Sequence, residues 1–270
     1  MMEKKLLCCL SVIFLVFNSC SNEEYYDSEN TILPKTLKTI YLTSPSENYD
    51  TNFIYDGNKI LSITNKNGKR DYEYNGNYIV RETVYSFYKG QETKSIETLF
   101  TYENDKLKTA TKFTSNQITK YTYNYNNDGS ITKETYGLGI DAKEETKKIG
   151  KEVITIIDGN IVKSECNWKD GYDIISIANY EYDTNKNAFK NITGLSLLLD
   201  QFCVDYETSL SSNNNMSLYY VKNIQGPSSN KIFEPHWFKM EYEYNKKGYP
   251  IKKMTYDYTE EIKEVNEYVY

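Results

Sequence analysis

Apolar and aromatic positions alternate with polar ones along most of this chain, and the period is two. The run YTYNYNNDGSITKETY, residues 121–136, shows it plainly: tyrosine at every second position, then Asn-Asp-Gly, then a return through Ile131. A period of two lines one face of a strand with rings and leaves Thr, Glu and Asn on the other. Asn-Gly and Asp-Gly supply the positive φ angles that tight hairpins need. The phrase recurs as FIYDGNKI from Phe53, YEYNGNYI from Tyr72, FTYENDKL from Phe100, YNYNNDGSI from Tyr123, YEYDTNKNAF from Tyr180 and YEYNKKGYPI from Tyr242; ITIIDGNIV from Ile154 is a looser copy. In the six clear copies the second tyrosine precedes the returning apolar residue by five, five, five, six, seven and seven positions. Each phrase with its flanks predicts one β-hairpin.

The chain therefore reads as all-β: a long, twisted antiparallel meander of hairpins over residues 36–270, one domain, curling toward a soluble barrel-like sheet. The pattern lapses at residues 194–206 (GLSLLLDQFCVDY), a leucine-rich run that predicts a short helix. Two roles fit it, a plug at one end of the curved sheet or a partner site, and the plug keeps its leucines out of water. SSNNN at 211–215 and GPSSN at 226–230 read as loops, and residues 218–224 resume as a strand.

The first residues have a different character. Lys4 and Lys5 precede a twelve-residue apolar run, LLCCLSVIFLVF (6–17), too short to span a bilayer comfortably and flanked as an export signal is. Asn18-Ser19-Cys20 then resembles the lipobox of bacterial lipoproteins, with Phe17 and Asn18 where that motif usually has Leu and a small residue. The resemblance implies a signal peptide over 1–19, cleavage before Cys20 and lipid on its thiol. Residues 20–35 read as an acidic tether. Glu23 and Glu24 match the surface-export signal of Bacteroides-type lipoproteins, and a solvated linker to a periplasmic domain is the alternative.

The phrase itself resembles the YD repeat of the RHS family, FIYDGNKI being the nearest copy. It lacks the arginine common after that repeat's glycine, and the copies are too few to wind a closed RHS shell. Combined with the lipobox, YEYDTNKNAFKNI (180–192) and YEYNKKGYPIKK (242–253) are more similar to uncharacterised Bacteroides-type surface lipoproteins with degenerate YD-like hairpins. That likeness implies a porin-like, meandering β-fold and brings no established activity.

Composition narrows the function. The 28 tyrosines carry much of a 39% hydrophobic content, and a net charge of −6 with scattered lysines offers no basic stripe for nucleic acid. A membrane-spanning barrel needs Leu, Val or Phe facing lipid. Here the face opposite the tyrosines holds Thr, Asn, Lys, Arg and Glu, so a water-exposed wall is expected. His236 is the one histidine, so neither a zinc cluster nor a Ser-His-Asp site is indicated. Asn124, Asn126, Asp128 and Gly129, and again Asp183, Asn185 and Asn187, begin like calcium loops. Thr135 and Gly194 stand where the bidentate glutamate belongs, and hairpin turns use the same residue types. No catalytic residue, metal or cofactor is expected, and the chain reads as a non-enzyme.

Cys8 and Cys9 leave with the signal. Cys166 and Cys203 remain, as one disulfide or as two thiols. Trp168 and Trp237 are the only tryptophans and would either stack on sugars or fill the core. The expected function is a non-catalytic, lipid-anchored cell-surface protein binding a polysaccharide or other extracellular ligand. Alternatives are a structural or assembly component docked to an outer-membrane protein, and a carrier holding an apolar ligand in a barrel cavity.

Overall fold

A computed structural model of the protein describes residues 32–138, 147–169, 173–202, 213–225 and 236–270. Among these residues sixteen antiparallel strands follow one another round a closed barrel. They are β1 (Thr36–Ile40), β2 (Tyr49–Asp56), β3 (Lys59–Asn65), β4 (Gly68–Asn75), β5 (Tyr78–Tyr88), β6 (Gln91–Glu103), β7 (Lys106–Thr114) and β8 (Ile118–Tyr125). The second half comprises β9 (Ile131–Leu138), β10 (Lys147–Ile157), β11 (Asn160–Lys169), β12 (Asp173–Lys186), β13 (Asn214–Gln225), β14 (His236–Tyr244), β15 (Pro250–Tyr256) and β16 (Ile262–Val269). Each strand pairs with its sequence neighbours, and β1 closes the ring on β16 through Thr36 opposite Val269. Closure removes the two edges that an open meander of this length would leave unpaired.

The up-and-down order fixes two rims. The phrase-bearing turns after β2, β4, β6, β8, β10 and β14 lie on one, together with the start of β1 and the end of β16. This is the near rim. The turns after the odd-numbered strands form the far rim. At the near rim Gly57 and Gly76 take the positive φ required at the first turn position, while Asn104 and Asp105 both adopt it.

The tyrosines stitch one copy of the phrase to the one before. The Tyr102 hydroxyl donates to the carbonyl of Ile79, at 2.7 Å, the returning residue of the preceding hairpin. Tyr125 donates likewise to Leu107 (3.3 Å), and Tyr182 to Ile161 (2.7 Å). Tyr74 accepts from the backbone N–H of Ile60 (3.2 Å), and Tyr55 donates to the carbonyl of Pro34 (2.9 Å). A ring that packs inward and a hydroxyl that reaches a backbone group explain the choice of Tyr over Phe. Burial pushes these phenols up, Tyr74 to about 12.

One copy departs from the hairpin expectation, and another makes its hairpin with a different returning residue. After YEYDTNKNAF the chain makes no tight return; Phe189 enters the barrel and β12 finds its partner only at Asn214. In YEYNKKGYPI the residue opposite Tyr244 is Pro250, and a bulge turns Ile251 outward, 40% exposed. The expected helix over 194–206 is a single 3-10 turn, Leu195–Leu198. Gly194 and Leu199 both have positive φ and bound it, so the leucines spread round a coil with no polar helix face; residues 203–206 lie outside the described set.

Candidate functional site

The wall has two chemically distinct faces. Outward positions on adjacent strands are mostly charged or hydroxylated, with exposed aliphatics such as Ile54 and Ile157 toward the strand ends: Lys69, Asp71 and Glu73 on β4 stand opposite Tyr85, Thr83 and Arg81 on β5, and Glu134 stands opposite Lys151. Arg81 bridges Glu73 (2.9 Å) and Glu97 (3.4 Å) on that face. Such a surface suits water, because a lipid-facing belt would have to bury these charges in hydrocarbon.

Inward positions near the phrase-bearing rim are apolar, and the connector from β12 fills the space between them. Ile192, Leu195, Leu198, Leu199 and Phe202 form one core with Phe53, Ile60, Tyr72, Ile79, Leu107, Tyr123, Ile131 and Ile154. Phe189 lies 5.3 Å from the Phe53 ring, and Phe202 lies 6.3 Å from that of Tyr72. The connector is also bonded by its backbone: Thr193 N–H donates to the carbonyl of Asn58 (2.9 Å), and its own carbonyl accepts from Tyr74 (3.2 Å). The 187–202 segment is the plug that the leucine run suggested.

Beyond the apolar end the lumen turns polar, in paired charges. Lys133 on β9 is ion-paired to Glu152 (2.9 Å) on β10 and to Asp200 of the plug. Its ammonium also lies 4.9 Å from the Tyr121 ring centre. Tyr123 donates to Asp200 (2.9 Å), and Ser164 donates to Glu152. Burial alone would push the Asp200 carboxyl up; the Lys133 ammonium and the hydrogen bonds from Lys133, Gln201 and Tyr123 outweigh it, and the group lies below its ordinary value. Burial works against the Lys133 charge too, and the two carboxylates outweigh it, raising that group. On β4 and β5, Arg70 (3.2 Å) and Tyr72 (3.1 Å) both meet Glu82. Lys253, 1% exposed on β15, faces Glu264 at 3.6 Å. Beside it Asn266 donates to Thr39 (3.1 Å). Each of these inward charges has an opposite beside it, so this part of the lumen carries no field of one sign.

Aromatic rings line the inner wall of β12–β14. Tyr180 stacks on Tyr219 at 5.4 Å, and Tyr219 on Phe238 at 6.2 Å with only 11° between planes. All three are half-buried. The ladder climbs from Tyr180, which packs against the plugged core, to Phe238 near the far rim. There His236, exposed, meets the Tyr258 ring edge-on at 5.8 Å.

The residues singled out by sequence are scattered by this geometry. Trp237 is half-buried on β14, cross-strand from Tyr220. Trp168 is on β11, opposite Gly150 and Ile174. The register runs from Trp237 through Tyr220 and Asn179 to Lys163 on β11, so Trp168 lies three strands across and five residues along, about 20 Å away at ordinary strand spacing and rise, and the two do not make one site. Cys166 is half-buried on β11 opposite Glu152 and Ser176. Cys203, Cys20, Glu23 and Glu24 lie outside the described residues.

The two calcium-like loops spend their oxygens on turns. Asp128 accepts from the Ser130 N–H (2.9 Å) and hydroxyl (2.6 Å). Asp183 accepts from Asn185 N–H (2.9 Å), Asn215 N–H (3.3 Å) and the Tyr244 hydroxyl. Among the described residues no three His, Cys, Asp or Glu side chains gather as a metal site. The ladder and the Lys133 cluster escaped sequence reasoning because their members come from different hairpins; the signal was a charge in the inward phase opposite the phrase's first aromatic, Glu82, Lys133 and Lys253, where other copies hold Ile63 and Ala110.

No family model matches the sequence, and no curated protein matches it. The fold is similar to that of a porin-like protein from Bacteroides vulgatus, at 9% identity over 89% of this chain and 99% of that one, with a TM-score of 0.50. A porin-like protein from Bacteroides uniformis aligns at 11% identity over 87% of this chain and 96% of that one, with a TM-score of 0.43. The first likeness concerns the fold: an antiparallel meander closed into a barrel.

Proposed function

We propose that this chain is a lipid-anchored, non-catalytic binding protein of the outer membrane, facing the cell exterior, whose barrel presents aromatic surface to a polysaccharide. The observation that carries the reading is the half-buried ladder Tyr180–Tyr219–Phe238 inside a barrel whose outer wall is charged and whose near end is filled by its own chain. A charged outer wall speaks against crossing the bilayer, and the plug against conduction. Stacked rings offer flat apolar faces of the kind sugar rings pack on, and neighbouring paired charges and hydroxyls bond hydroxyl groups without demanding a charged ligand. The apolar-carrier alternative finds less support, since Leu195, Leu198 and Phe202 already occupy the apolar end of the lumen.

Affinity electrophoresis through gels containing neutral or acidic polysaccharides tests this, using wild type, Tyr219→Ala and Trp237→Ala. Retardation by a neutral glycan that Tyr219→Ala weakens about tenfold supports the lumen ladder; selective loss in Trp237→Ala would move the site to the Trp237–Tyr220 pair. No retardation by any glycan would favour the assembly role. Protease treatment of intact cells, with a periplasmic protein as control, tests the outward orientation: rapid loss of this protein alone is expected.

A further inference from the structure

We infer that the near rim, where the chain enters the barrel, is a membrane-contact face that rests on the lipid surface beside the anchor. Ile54 on β2 is 57% exposed, Leu61 on β3 40%, Ile251 on β15 40% and Val269 on β16 44%. The register makes two aliphatic pairs of them. Ile54 is opposite Ser62, next to Leu61; continuing from Glu267 opposite Lys252, Val269 falls level with Pro250, next to Ile251. β1 runs between the pairs, with Thr36 paired to Val269 on one side and Asn52 on the other, and Lys35 exposed at its head.

Fold geometry does not require aliphatic residues here. Leu61 and Ile251 are the extra residues of bulges that follow the phrase turn; the equivalent bulges elsewhere hold Val80 and Val162, both half-buried, and Lys108, whose side chain is 46% exposed. The bulge thus accepts aliphatic and charged residues alike; what marks the two beside β1 is that they stay exposed next to Ile54 and Val269, which are not bulge residues. Exposed apolar side chains with a lysine among them match the pattern of interfacial membrane contact. The occupant follows from chain continuity. Residues 1–31, with the apolar run and Cys20, lead directly into this rim, and the fifteen residues from Cys20 to Lys35 reach at most about 50 Å. A lipid on Cys20 would keep this rim at high local concentration over a bilayer, so even a weak apolar contact would be populated. Elsewhere the near rim exposes Tyr125 and Ile157, at the ends of β8 and β10, and the opposite end exposes Leu42, Tyr88, Ile175 and Tyr258, one at each of four connections.

The inference rests on the anchored reading, and one experiment separates the two. The acylated full-length protein, with Cys166 and Cys203 replaced by serine, carries a fluorophore at Ile54→Cys, Ile251→Cys or Tyr88→Cys. It is bound to phosphatidylethanolamine/phosphatidylglycerol vesicles containing nitroxide-labelled lipid, and the mass of the Cys20 peptide is measured in parallel. Quenching at 54 and 251 but not at 88 is the expected result. Equal quenching at all three sites, or none, with Cys20 acylated, overturns the contact face and leaves the anchor standing. Shielding of 54 and 251 without lipid quenching would assign the face to a protein partner or a second copy, and overturns it too. A Cys20 peptide without acyl mass overturns both readings.

Discussion

The ammonium of Lys133, on the barrel wall, is ion-paired with the carboxylate of Asp200, in the plug, across 67 positions of sequence. Both are largely buried, and Glu152, Tyr123 and Gln201 complete the set of partners. A buried pair of this kind does little to stabilise a fold beyond an apolar alternative, but removing one member strands the other. Its effect here is positional: it sets where the plug ends inside the lumen.

Lys133→Ala should therefore destabilise the barrel by about 3–5 kcal/mol, because two carboxylates lose their counter-charge. Lys133→Met combined with Asp200→Leu and Glu152→Gln, which leaves neither carboxylate stranded, should recover much of that loss. Urea denaturation of the two variants checks both values, and equal loss in each would show that the pair is not coupled.

The same pair makes the protein acid-labile. Asp200 is held below its ordinary value, so its contribution is present above about pH 4 and is lost as pH falls through the lower folded-state value. Lys133 is raised, so its contribution is complete below its ordinary value of 10.5 and lost only at higher pH. Between those limits the pair's contribution is flat. The urea midpoint of wild type should fall more steeply than that of Asp200→Asn between pH 4 and pH 2, about the range of carboxylate titration.

The tyrosine stitches predict small, additive losses. Tyr102→Phe and Tyr182→Phe each remove one hydroxyl bond to a backbone carbonyl while keeping the ring. Each should cost about 1 kcal/mol, and the double variant about the sum, since β6 and β12 share no partner. Denaturant melts of the singles and the double decide it. Losses below measurement error would reduce the tyrosines to packing alone.

Gly194 is the residue on which the plug's approach depends. Its φ is +74°, and a Cβ there would lie 2.4 Å from the carbonyl oxygen of Asn77. Gly194→Ala should cost at least about 1 kcal/mol and speed amide exchange across 187–202 ahead of the strands. Uniform acceleration over the whole barrel would instead mean that plug and wall open together.

What the sequence determined by itself was what is written locally. Period-two alternation made strands, Asn-Gly and Asp-Gly made turns, and regular spacing from Tyr55, Tyr74 and Tyr102 to Ile60, Ile79 and Leu107 set the hairpin ends; these depend on neighbours a few positions apart. The leucine run at 194–206 announced a buried segment, although a single 3-10 turn stood in for the helix. Tertiary structure alone decided that Thr36 meets Val269 and closes the ring, that Phe189 leaves the hairpin pattern to enter the lumen, and that Tyr180, Tyr219 and Phe238 fall into one row. Closure depends on accumulated twist and register over sixteen strands, and the Lys133–Asp200 pair on where a connector ends after crossing the lumen. Neither is encoded at any single position, so no local pattern could announce it.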